Sequence, residues 1–184
     1  MIAATRTRLL FIILIASIPL YSCDEGNHRL RVATKGLFKE TIAIPEDMSK
    51  IQDGHLLPYH IPEDQPVFVM YIGPEECSDC RIAHLPETEE LFKWSEQTGL
   101  YEFMIVFSPR KEMLETVEAS LMAKSFNFPV FLDKYSEFTE MNRIPDEPRL
   151  HCFLLDSKRK PVFAGNPLGS AKMKELFFAK LDEL

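Results

Sequence analysis

Short apolar runs alternate with stretches of helical periodicity from residue 66 onward, and this alternation restricts the fold more than any other feature. Val67–Ile72 (VFVMYI) is apolar on both faces and is closed by Gly73-Pro74, the pattern of a strand buried in the middle of a sheet. Residues 78–97 then carry Ile82, Leu85, Leu91, Phe92 and Trp94 at helical spacing, with Pro86 placed to kink or divide the helix and Gly99 to stop it. Residues 101–107 (YEFMIVF) repeat the buried-strand pattern. A helix over 111–125 follows, with Met113, Leu114, Val117 and Leu121 inward. Residues 128–133 predict a third strand, 136–141 a short helix, 151–156 a fourth strand and 160–164 a fifth, the last two joined by a polar turn. Ser170 is placed to cap a final helix whose inner face is Met173, Leu176, Phe177 and Leu181. The order strand, helix, strand, helix, strand, short helix, strand, strand, helix predicts an α/β domain, a central mixed sheet flanked by helices. The last hairpin supplies its antiparallel edge.

The first 60 residues read differently. Arg6 and Arg8 precede an uncharged run over residues 9–20. That run is too short for a bilayer-spanning helix, which needs about 20 residues, and it fits the apolar centre of a secretory signal. It ends in Leu20-Tyr21-Ser22-Cys23, which resembles the lipobox of bacterial lipoproteins and implies an acyl chain on Cys23. The expected organisation is a lipoprotein signal over 1–22, then lipid anchor, tether and N-terminal extension over 23–60, then an α/β domain over 61–184. The address is the cell envelope, on a membrane outside the cytoplasm. The tether is the polar stretch 24–30. Residues 36–45 predict one or two strands ending at Pro45, and Pro58, Pro62 and Pro66 mark extended chain. The net charge of -7 becomes -9 once Arg6 and Arg8 are removed, and no basic stripe offers phosphates a partner, so nucleic acid is not expected.

Of four cysteines, lipidation of Cys23 leaves Cys77, Cys80 and Cys152. Cys77-Ser78-Asp79-Cys80 stands where the first buried strand passes into a helix. At a helix start the free N–H groups favour the Cys77 thiolate, and Cys80, one turn on, is near enough to close a Cys77–Cys80 disulfide and resolve a mixed one. Two plainer readings stand beside this: a static disulfide pinning the helix, or a metal pair completed by His84, His151 or Cys152. No resident metal or cofactor is expected. Cys152, in an apolar strand, reads as a small buried hydrophobe, with a third thiol beside the pair as the sharper reading. His84 reads as solvent-facing and His151 as flanking the fourth strand.

These segments together resemble the thioredoxin-like superfamily, nearest to the membrane-tethered TlpA and peroxiredoxin-related branch. The resemblance rests on the strand–Cys-x-x-Cys–helix junction, on 128–133 (FPVFLD), and on 153–156 (FLLD) followed by a turn and 161–167 (PVFAGNP). It implies a thioredoxin-like fold with an N-terminal extension. It also implies thiol–disulfide exchange, Cys77 attacking and Cys80 resolving, with a protein disulfide as substrate and an electron donor that the sequence does not name. The chain departs from the family in four places. Glu76 stands where an aromatic precedes the first cysteine, and Pro86 falls one residue late. Leu150 stands where the cis-proline belongs, with Pro148 two residues too early. No carboxylate lies on the strand 67–72. Glu75, Glu76 and Asp79 should raise the thiol pKa values, partly offset by Arg81, which favours a reductase over an oxidase. The alternative is a non-catalytic thioredoxin-fold binding lipoprotein whose cysteine pair is structural or holds a metal.

Overall fold

The computed structural model describes residues 20–60 and 63–184. The signal segment expected over 1–22 lies, up to residue 19, outside the described residues, as does the side chain of Cys23. The chain divides into two units, residues 1–35 and 36–184. In the first, the described residues are helical rather than a polar tether: α1 runs Leu20–Leu37. Arg29, Leu30, Arg31, Ala33 and Lys35 are strong helix formers, and Lys35 lies in the last turn, where a cation complements the helix dipole.

The second unit is built on one seven-stranded mixed sheet, in the order β2-β1-β5-β4-β3-β6-β7. The strands expected over 36–45 do not form there. Their place is taken by a hairpin, β1 (Ser49–Gln52) and β2 (His55–Leu57), turned on Asp53-Gly54. Both turn residues have positive φ, 51° and 74°, as a two-residue hairpin loop requires. β1 pairs antiparallel with β5 (Val130–Leu132), so the extension lengthens the sheet. The backbone of 42–43 finds its partners elsewhere. Ile42 N–H donates to Arg159 O, and the buried Asn142 side chain accepts from Ala43 N–H and donates to Ala43 O, both at 2.8 Å. With Ile42, Ile44, Met48 and Ile51 buried, the compact unit starts at Gly36, ahead of residue 61.

β3 (Val67–Ile72) is buried at all six positions, between parallel β4 (Glu102–Phe107) and antiparallel β6 (Cys152–Leu155), with β7 (Pro161–Ala164) outside β6. With β5 parallel to β4, three parallel strands are followed by two antiparallel ones, the central mixed sheet that the sequence predicts. Pro86 divides the first helix into α2 (Ser78–His84), a 3-10 turn (Leu85–Thr88) and α3 (Glu89–Thr98), which Gly99 ends at φ 64°. α4 is Leu114–Lys124, α5 Glu137–Met141 and α6 Ala171–Leu181, the last capped by Ser170. Phe68, Phe103, Phe128 and Phe177 fill the interior. Met113 and Leu176, expected inward, are exposed.

Candidate functional site

The cysteine pair is held by the turn that leaves β3. Glu76 N–H donates to Gly73 O at 3.1 Å, and Gly73 N–H returns a bond to Glu76 Oε1 at 3.2 Å. Gly73 is needed there: a Cβ would meet the Tyr71 hydroxyl at 2.9 Å. Cys77 then takes the N-cap position of α2, its sulfur accepting from Cys80 N–H at 3.4 Å. The two cysteines are joined as a disulfide with Cα atoms 5.3 Å apart. Both are exposed, and a cleft of about 300 Å³ bounded by Cys77, Glu75, Arg110 and Met113 opens beside them. A larger cavity of about 680 Å³, bounded by Tyr59, Arg159 and the carboxylates of Glu46, Glu63 and Asp64, carries no thiol nucleophile, so the chemistry belongs to the smaller cleft.

Charges surround the pair in matched sets. Glu75 bonds Arg110 at 2.6 Å across the cleft. Glu76 accepts from His151 Nδ1 at 2.8 Å and faces Arg81 Nε at 3.4 Å. Burial alone would raise the Glu76 pKa. The bond from His151, the Gly73 N–H and Arg81 together outweigh it and hold the carboxyl below its ordinary value. The three acids were expected to raise the thiol pKa values with only Arg81 against them. Two of them have cationic or hydrogen-bonding partners, so the offset is larger than expected. α2 is only seven residues long, so its dipole is short and these neighbouring groups matter more.

His151 lies on the loop before β6, 8% exposed, with Nε2 2.9 Å from the Pro145 carbonyl and the ring edge against Tyr71. That loop carries a 3-10 turn at Pro148–Leu150, and no cis peptide occurs among the described residues. Two departures from the family pattern therefore meet: Glu76, in the aromatic's place, is bonded to the residue following Leu150. Seventy-five residues separate the partners, and no spacing signal pairs them.

Cys152 is buried opposite Met70 on β3 and is a free thiol. Burial above all, with Arg81 opposing and Glu76 adding, pushes its pKa up to about 12, so it stays a neutral thiol beside the groups that flank the pair. His84 is exposed and pairs with Glu87. Among the described residues no three His, Cys, Asp or Glu side chains converge to hold a metal ion.

Fold and site together define a thioredoxin-like domain with an exposed Cys-x-x-Cys disulfide where the central strand meets a helix. No family model matches the chain, and neither does any curated protein. Solved structures similar to it include an exposed lipoprotein thioredoxin of Streptococcus pneumoniae (21% identity, 66% of this chain and 87% of that one, TM-score 0.46). A thioredoxin-like protein of Porphyromonas gingivalis is also similar (18%, 78% and 92%, 0.47). So is a secreted disulfide oxidoreductase of Mycobacterium tuberculosis (15%, 76% and 96%, 0.46). No helix among the described residues is long and apolar enough to cross a membrane.

Proposed function

We propose that the chain is a thiol–disulfide oxidoreductase of the bacterial cell envelope, tethered through a lipid on Cys23, that reduces disulfides in other proteins. The observation that carries the reading is the exposure of both Cys77 and Cys80 beside an open cleft. A disulfide serving only as a staple has no need of an accessible sulfur. The Cys77 thiolate attacks one sulfur of the substrate disulfide, forming a mixed disulfide and releasing the first substrate thiolate. Cys80, deprotonated, attacks Cys77, closing the Cys77–Cys80 bond and releasing the second. Two electrons pass to the substrate, and a dithiol donor returns them. The reducing direction is read from the acids that flank the pair in the sequence, Glu75, Glu76 and Asp79, since strong oxidants owe their potential to a highly stabilised thiolate.

The lipid anchor draws its support from residues 6–23: two arginines, an apolar run and Leu-Tyr-Ser-Cys. A non-catalytic binding module is the second reading, favoured by Leu150 and Glu76, which stand where the resembled family has a proline and an aromatic. Reductive titration of the purified protein beside a Cys77→Ser control separates the two. A pair that cycles and reduces a protein disulfide supports the enzyme, and a pair that resists strong reductants supports the module. Labelling with a fatty-acid analogue tests the anchor: label lost in Cys23→Ala supports it, and label retained refutes it.

A further inference from the structure

The partners of His151 determine where its protons are. Nε2 lies 2.9 Å from the Pro145 carbonyl oxygen, which only accepts, so Nε2 carries hydrogen. Nδ1 lies 2.8 Å from Glu76 Oε1. That carboxylate is already committed as an acceptor, with Gly73 N–H on Oε1 at 3.2 Å and Arg81 Nε facing Oε2 at 3.4 Å. It has no proton to give, so Nδ1 donates as well, and a ring donating from both nitrogens is an imidazolium. We propose that His151 is held as a buried imidazolium by Glu76 and the Pro145 carbonyl, and that its fixed positive charge stabilises the thiolate of the Cys77–Cys80 pair. The proposal deepens the exchange reading and rests on it.

The groups around His151 support this. The turn before α2 contributes Glu76 and α2 contributes Arg81. β3 contributes Tyr71, whose ring centre is 5.2 Å away, and β6 contributes the neutral thiol of Cys152. On its own loop Glu147 feels the His151 charge, but that carboxylate is held by Arg149. Asp133 and Asp146 act on Tyr71. Glu76, which precedes Cys77 in the chain, Arg81 and His151 then sum to one net positive charge, set against the Asp79 carboxylate of the cleft, and a neutral His151 leaves that carboxylate unopposed. The His151 and Glu76 side chains are 10% and 16% exposed, so water and salt screen them little. His151 is a positioning residue: it moves no electrons, and the exchange takes its two electrons from the cysteines alone.

Nitrogen-15 NMR of the histidine rings in the unsubstituted protein reads the charge directly. Both His151 nitrogens protonated at pH 7 is the expected result, and a neutral single-tautomer ring overturns the proposal. This measurement needs no variant, so a His151→Gln protein that fails to fold does not remove the test. Where it folds, thiolate absorbance of the reduced protein is expected to titrate about one pH unit higher than in the unsubstituted protein. Measured above both titration midpoints, the exchange constant with glutathione should shift about tenfold toward the disulfide. An unchanged titration overturns the proposal. Both signals are independent of substrate. A protein that shows them yet reduces no protein disulfide sinks the exchange reading alone, and an active one with a neutral His151 sinks this proposal alone.

Discussion

Replacing Glu76 by glutamine removes the charge that ties the cysteine turn to the loop before β6. Glu76→Gln, His151→Gln and the double variant form a thermodynamic cycle around one contact, the 2.8 Å bond between Glu76 Oε1 and His151 Nδ1. Breaking a buried ion pair from one side costs roughly 3–5 kcal/mol. Here the cost is lower, because glutamine still accepts from Gly73 N–H and Arg81 is 39% exposed and screened by water. About 2 kcal/mol is expected for each single variant, with a coupling of about 1.5 kcal/mol between them. Urea unfolding of the oxidised protein at pH 7, followed by circular dichroism, reads it as a midpoint lowered by about 1 M for each single variant. Additivity within about 0.5 kcal/mol would refute the pairing. The pH dependence has a definite sign. The folded Glu76 pKa lies below its ordinary 4.5, so the stability it contributes is full above pH 4.5 and is lost as pH falls through the folded value. The gap between the unsubstituted protein and Glu76→Gln should close in acid, and a gap that persists unchanged to pH 3 contradicts the assignment.

Further outcomes follow from two buried residues, Cys152 and Asn142. Cys152, with its pKa pushed up from 9.0 to about 12, should resist iodoacetamide at pH 8 in the folded protein and react at the rate of unfolding; native-state labelling as fast as that of a free thiol would contradict it. The same shift makes its stability contribution full below pH 9.0 and lost as pH rises toward about 12. Asn142→Ala removes three bonds, two to Ala43 and one to Phe138 O, and should cost about 2–3 kcal/mol in thermal or urea unfolding, with proteolytic nicking appearing first within 38–48. Unchanged stability would mean that the extension is not held by this clamp.

What was legible in the sequence was what local pattern dictates. β3, and β4 after Glu102, are apolar at consecutive positions because each packs on both faces, and the short length, β-branched and aromatic content and closing Gly-Pro of VFVMYI select a strand. Pro86 divides its helix for a reason internal to one residue. The extension was harder. Ile42 and Ile44 alternate like a strand, yet their segment is held by the side chain of Asn142, 99 residues further on. The hairpin behind it did carry a signal, the Asp53-Gly54 pair, which the mixed polarity of Ser49–Gln52 and the exposed His55–Leu57 conceal. The cysteines were legible because their spacing is local. The groups that govern them were not: Glu76 reads as one of three repelling acids until folding brings His151 to it. Counting charges along a chain misses partners supplied by other elements.

The reduction potential of the Cys77–Cys80 pair is measured by equilibrating the purified protein in dithiothreitol or glutathione buffers and trapping free thiols by alkylation. A single two-electron transition between about -300 and -180 mV, carried by Cys77 and Cys80 alone and coupled to reduction of a protein disulfide that Cys77→Ser abolishes, is the predicted result. A pair still closed in buffers well below about -300 mV, or substrate reduction that survives Cys77→Ser, would contradict it.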